Sequence, residues 1–299
     1  MVMVSRDQRY SGRGQRIVAT YADYSSLSLA TAALVVDEAC KAVGARGRFS
    51  LALTGGSTPE ATYRFLATAP FSESMPWEST EVLWTDERCV SPEDPRSNER
   101  MAREALLDHV PVQSERVHPI RCAAGEGARP GSHTADAAVV ARACAQEYDA
   151  LLSSHFPVRS DPAEPDPERA CGGAVGALDL VLLGLGADGH TASLFPDSKA
   201  LREKRTAAAV FVEGAANATT TAGDRDLWRV TMTASFINRA ACVLFLASGG
   251  AKAGVVREVL QGSGDSKRLP ARLIDPVGTL RWHLDEEAAA LLDSVGERN

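Results

Sequence analysis

No run of apolar residues in this chain reaches the roughly 18 needed to cross a bilayer as a helix, so no membrane span is expected. Basic residues are also in deficit. Thirty-two Lys and Arg stand against 39 Asp and Glu, a net charge of −7. General nucleic-acid binding, which needs a basic stripe, is therefore not expected. An anionic small molecule is not excluded, because a local group of Arg and Lys is enough to hold one. None of the six cysteines (Cys40, Cys89, Cys122, Cys144, Cys171 and Cys242) forms a Cys-x-x-Cys pair, and no Cys or His pair has ligand spacing. Zinc-ribbon and redox readings have no support, and no bound metal or cofactor is expected. A chain of 299 residues with a good core needs no disulfides. The expectation is free thiols in the cytoplasm, with Cys89 a bland neighbour of a candidate site. The first nine residues lack the apolar stretch of a signal peptide and read as a frayed start. A Gly-Lys-Ser/Thr ending and a Gly-x-Ser-x-Gly elbow are both missing, which removes the Walker nucleotide loop and the serine-hydrolase elbow.

What is present alternates. Apolar strands and amphipathic helical segments follow one another, the pattern of a mostly parallel sheet covered by helices on both faces. Helices are expected over residues 26–43, 58–67, 97–109, 134–154, 251–260 and 285–292. Strands are expected at 48–54, 82–85, 178–185, 208–212, 228–232, 242–247 and 280–283. Ser57-x-x-Glu60 has the form of a capping box, and Pro59 suits a first helical turn. A Gly-rich stretch at 123–132 and an Asp/Glu-Pro stretch at 159–177 read as surface loops, the second flexible. Because the rhythm resumes after both, residues 1–299 are expected to form one α/β domain.

The most informative segment is the apolar strand ending in Gly184-Leu185-Gly186-Ala187-Asp188-Gly189-His190-Thr191-Ala192-Ser193-Leu194-Phe195-Pro196. In open α/β sheets ligands bind beyond the carboxyl ends of strands, so Asp188 and His190 stand where chemistry is expected. A second strand ends in Gly55-Gly56-Ser57-Thr58-Pro59 at a helix start. Free N–H groups and the helix dipole favour phosphate there, although an ordinary strand–turn–helix would look the same. A third strand ends in Thr85-Asp86-Glu87-Arg88, followed by Ser97-Asn98 at another helix start. Arg229, in Trp228-Arg229-Val230-Thr231, and Lys252, after Gly249-Gly250, sit singly among apolar or small residues. Such cations either snorkel to solvent or meet an anion.

Together these motifs resemble the 6-phosphogluconolactonase family over about residues 26–292, with the run through Leu194-Phe195-Pro196 the most specific. The resemblance implies a Rossmann-like doubly wound α/β fold without a nucleotide. It also implies metal-free hydrolysis of a phosphorylated sugar lactone by a monomer or weak homo-oligomer. His190 would be the general base, and free imidazoles titrate near 6.5, which suits neutral pH. Asp188 would orient it. Arg88 or loop N–H groups would stabilise the oxyanion, or Arg88 would instead bind phosphate or hydroxyls. Gly55, Gly56, Ser57, Thr58, Asp86, Asn98, Arg229 and Lys252 would bind substrate. The related glucosamine-6-phosphate deaminases share the phosphate loop, the Asp-Glu pair and the Asp-Gly-His loop. Their His is followed by an Ile-Ala-Phe-Asn-Glu-Pro type of segment, whereas this chain has no Glu there. A deaminase-like enzyme and a non-catalytic sugar-phosphate binder remain the alternatives.

Overall fold

Short runs of Leu, Val and Ala make the central strands, and they are buried on both faces. In the computed structural model, Phe49–Leu53 and Cys242–Ala247 are buried at every position. The structure describes residues 4–6, 14–122, 135–157, 177–213 and 227–293. The strands are β1 (Val4–Arg6), β2 (Gln15–Tyr21), β3 (Phe49–Leu53), β4 (Thr80–Trp84), β5 (Asp86–Arg88), β6 (Val117–His118), β7 (Leu180–Gly184), β8 (Ala207–Val212), β9 (Leu227–Met232), β10 (Cys242–Ala247) and β11 (Thr279–Asp285). The helices are α1 (Tyr24–Arg46), α2 (Ser57–Leu66), α3 (Phe71–Ser74), α4 (Asn98–Ala105), α5 (Ala135–His155), α6 (Ala234–Ile237), α7 (Ala253–Gln261) and α8 (Glu286–Ala289).

The main sheet has the order β1-β2-β11-β10-β7-β3-β4-β6 and is parallel apart from the β1–β2 pair. This is the mostly parallel, Rossmann-like arrangement expected from the alternation. From β3 the chain steps outward to β4 and β6. It then returns to β7 and moves the other way through β10 and β11. The strand order therefore reverses between β3 and β7, and the loops after these two strands flank the crevice where open α/β sheets bind ligands.

Three expectations are corrected. The strands near 208–212 and 228–232 do not continue the parallel sheet. They form, with β5, a separate antiparallel sheet of order β5-β9-β8. Alternating apolar residues give a strand but not its partner or direction. The capping box does not form either. Ser57 lies inside the helix, Gly56 at φ 110° is the cap residue with no side-chain hydrogen bond, and Glu60 pairs with Arg64 instead at 2.6 Å. Finally, Cys89 and Cys122 are not free thiols. Their sulfurs are joined at 2.13 Å, because the segments after β5 and β6 run side by side with Cα atoms 5.1 Å apart. Cys40, Cys144 and Cys242 are free as expected, and Cys171 lies outside the described residues. The loop expected at 123–132 and all but the last residue of the one at 159–177 also lie outside them. No helix among the described residues is long and apolar enough to cross a membrane.

Candidate active site

The loop after β3 is shaped by two contacts. Thr54 N donates to Tyr63 Oη at 2.9 Å, and Tyr63 Oη donates back to Thr54 O at 2.8 Å. This fixes the end of β3 against the first turns of α2. Gly55 passes so close to Asn98 that a Cβ there would lie 2.0 Å from Asn98 Oδ1. Because Gly56 supplies no capping side chain, the first N–H groups of α2 are left for a ligand.

The loop after β7 folds back on itself. Gly186 N donates to His190 O at 2.8 Å, and Gly189, at φ 80°, turns the chain between them. The turn sets His190 Nδ1 2.5 Å from Asp188 Oδ1, and the same carboxylate oxygen accepts from His190 N at 3.2 Å. A carboxylate only accepts, so Nδ1 carries the proton and the lone pair of neutral His190 is on Nε2. The imidazole stacks on Phe195 with ring centroids 4.4 Å apart. Burial pushes Asp188 up, but the hydrogen bond and charge of His190, helped by backbone N–H groups, outweigh it. The carboxyl is held below its ordinary range.

The segment Asp86-Glu87-Arg88 contributes in two directions. Asp86 and Arg88 line the cleft, and Glu87 does not. Glu87 is buried and holds the start of α4. Its Oε1 accepts from Arg88 N and Asn98 N at 2.7 and 2.8 Å, and its Oε2 accepts from Glu99 N and Ser97 Oγ at 2.7 and 3.0 Å. Burial pushes this carboxyl up to about 7, against the backbone N–H donors and the Arg88 charge that pull it down. Arg88 Nη1 donates to Arg96 O at 2.6 Å and to Asn98 Oδ1 at 2.9 Å, so the guanidinium is anchored before any ligand arrives. Asp86 Oδ2 accepts from Ser193 Oγ at 2.6 Å, which ties the β5 strand to the loop after β7.

Arg229 stands directly opposite Arg88 in the β5–β9 register. It is buried, only 4% exposed, which rules out snorkelling to solvent. Its guanidinium lies over the Phe195 ring, 5.4 Å from the ring centre. Like charges set opposite each other across a strand pair are unfavourable. Lys252 is half-buried behind the Gly249 turn, which Asp285 holds through Gly249 N and Ser248 Oγ. Burial lowers the Lys252 ammonium, with the Asp188 charge opposing.

The structure thus gathers the sequence candidates around one cleft of about 280 Å³. Gly55, Gly56, Ser57, Thr58, Asp86, Arg88, Asn98, His190, Arg229 and Lys252 all line it, and Asp188 stands behind His190. Sequence reasoning did not single out Ser193, Phe195 or Glu87 as parts of the site. Their positions inside the recognised motifs were the available signal.

Residues 22–282 match the family described as glucosamine-6-phosphate isomerases/6-phosphogluconolactonase. The chain belongs to this family. A curated 6-phosphogluconolactonase of Synechocystis is 37% identical over 249 residues, covering 83% of this chain and 86% of the relative. The solved 6-phosphogluconolactonase of Trypanosoma brucei superposes with a TM-score of 0.73 at 31% identity, covering 92% of this chain and 98% of that one. A monomeric glucosamine-6-phosphate deaminase shares the fold, with a TM-score of 0.70 at 23% identity. Family and fold therefore admit both chemistries, and the choice between them rests on the site and on the more similar relatives.

Proposed function

We propose that this chain hydrolyses 6-phospho-D-glucono-1,5-lactone to 6-phospho-D-gluconate, in the oxidative pentose phosphate pathway. The observation that carries the reading is the Asp188–His190 pair, which faces the open N-terminus of α2 across the β3/β7 crevice and is followed by Thr191-Ala192-Ser193-Leu194-Phe195-Pro196, without the Glu of the deaminases. The identities of the more similar relatives support the same reaction.

The 6-phosphate rests on the N–H groups and hydroxyls of Gly55, Gly56, Ser57 and Thr58, with Arg229 and Lys252 as counter-charges. His190 Nε2 takes a proton from a water that attacks the lactone carbonyl carbon C1. Asp188 keeps the ring in the required tautomer and stabilises the imidazolium that results. The carbonyl electrons become a tetrahedral oxyanion, for which Arg88, anchored by Arg96 O and Asn98 Oδ1, is the pre-oriented donor. On collapse the bond from C1 to the ring oxygen breaks. The ring oxygen takes the proton back from His190, and the product is an open-chain carboxylic acid that ionises. Asp86 and Asn98 hold the sugar side of the cleft.

The test is a parallel assay of acid release from the phosphorylated lactone and ammonia release from glucosamine 6-phosphate, after subtraction of spontaneous lactone hydrolysis. Acid release alone is expected, and His190→Ala should lower its kcat by about 10²–10⁴. Ammonia release as the main activity, or a wild-type kcat in His190→Ala, overturns the proposal.

A further inference from the structure

At the opposite end of the main sheet, the amino end of β4, three side chains distant in sequence converge. Glu81 on β4, His118 on β6 and His155 at the last residue of α5 each offer a ligand atom, and these atoms lie within 4.8 Å of one another. His118 Nε2 is 3.2 Å from Glu81 Oε2, and the two imidazoles meet edge to face with centroids 4.8 Å apart. The second Glu81 oxygen lies 3.4 Å from Arg116 Nη1. The lactone chemistry uses none of these groups.

His155 is already oriented as a metal-binding imidazole is. Its Nδ1 lies 3.0 Å from Leu151 O. A carbonyl oxygen only accepts, so Nδ1 carries the proton and the lone pair is left on Nε2. A histidine ligand is commonly fixed in this way by a backbone carbonyl on its other nitrogen. Glu81 and His155 also line a separate cavity of about 70 Å³, with Arg48, Ser50 and Asp179 on its other walls. That leaves room for a water beside Glu81 and His155.

We propose that Glu81, His118 and His155 form a zinc-class site with a water as fourth ligand, separate from the lactone cleft. Two imidazoles and one carboxylate with an open position are a donor set that Zn²⁺ accepts. Tetrahedral zinc with bonds near 2.0–2.1 Å holds its ligand atoms about 3.4 Å apart. His118 and Glu81 already stand at that separation. Closing the remainder asks for a shift of about 1.4 Å by the exposed His155 side chain and the half-buried Glu81. The ion replaces the proton now shared between His118 and Glu81 and pins β6 and the end of α5 to β4.

The experiment uses the full chain freed of metal by chelator, with Zn²⁺ titrated against a chromophoric competing chelator and thermal unfolding followed with and without Zn²⁺. One equivalent held at micromolar free zinc is expected, with a rise in Tm. His155→Gln, an exposed change that leaves the core untouched, and Glu81→Gln should each weaken that equivalent more than about tenfold, since loss even of an orienting partner costs about 10- to 100-fold. His190→Ala should retain it. An unchanged affinity in His155→Gln, loss of the equivalent in His190→Ala, or no bound equivalent at tens of micromolar free zinc overturns the proposal.

Discussion

Gly186→Ala is a single methyl placed against the proposed catalytic pair. The backbone at Gly186 is not in the left-handed region, so alanine is tolerated by the chain itself. The added Cβ, however, would sit 2.0 Å from His190 Nδ1 and 2.6 Å from Asp188 Oδ1. Ordinary contact begins near 3.4 Å, so the imidazole must retreat by about 1.4 Å. Its hydrogen bond to Asp188 is 2.5 Å long and does not survive a displacement of that size. A misplacement of about 1 Å can cost on the order of 10² in rate, and the tautomer and the imidazolium lose their carboxylate as well. We therefore expect kcat to fall by about 10²–10³, close to the effect of deleting the imidazole. The phosphate loop is on another strand, so affinity for the product 6-phosphogluconate, read by calorimetry, should stay within about threefold. His190 is near the surface and yields toward solvent, so Tm should change little. A kcat within threefold of wild type would show that the Asp188–His190 contact does not matter for the reaction. A parallel loss of product affinity and of Tm would show that the methyl damages the fold rather than the pair.

Three further outcomes follow from the site. Removing Arg229 or Lys252 as alanine should cost roughly 2–4 kcal/mol of phosphate recognition, or about 30- to 1000-fold in kcat/KM on the phosphorylated lactone; the effect on unphosphorylated gluconolactone should be small, and equal losses on both substrates would end the phosphate assignment. Glu87→Gln is nearly isosteric but turns an NH₂ group toward donors that now meet a carboxylate oxygen, so it should destabilise the protein by about 2–4 kcal/mol, visible as a Tm several degrees lower, and an unchanged Tm refutes the anchoring role. Burial lowers Lys252, so in the free enzyme its charge is lost at lower pH than that of an ordinary lysine; binding of the phosphate dianion needs the ammonium, so product affinity should fall with rising pH before an unshifted lysine would titrate, whereas Lys252→Arg should stay flat over that range, and identical pH profiles would remove Lys252 from the phosphate.

The loop after β7 and the loop after β3 were legible because each is a continuous string: apolar strand, glycines, then polar groups at a carboxyl end. Parallel strands buried on both faces advertise themselves as apolar runs, and β10 was bounded correctly from its sequence alone. The small sheet was less legible. Arg229 and Thr231 alternate with apolar residues along β9, but its partner β5 is only three residues long and lies more than 100 residues away. The pairing of Cys89 with Cys122 and the meeting of Glu81, His118 and His155 were hidden for the same reason. Each depends on which strands become neighbours, and no local spacing encodes that. Ser57-x-x-Glu60 failed as a capping box because the helix begins one residue earlier than the motif requires.

The alternation of side chains along β5 has a practical consequence for anyone wishing to redesign this pocket. In a strand, adjacent residues cannot look the same way. Asp86 and Arg88 therefore line the cleft, while Glu87, covalently between them, serves the scaffold from behind. Three consecutive letters thus face two ways. The outer pair reaches the cleft but also braces it: Arg88 Nη1 donates to Asn98 Oδ1 at the start of α4, and Asp86 Oδ2 accepts from Ser193 Oγ. The middle carboxylate is a fixed hinge pin: shortening it to aspartate would draw back the acceptor for Asn98 N and Glu99 N. That would tilt the helix that carries Asn98 and slacken the grip on Arg88 from a residue that never meets the substrate.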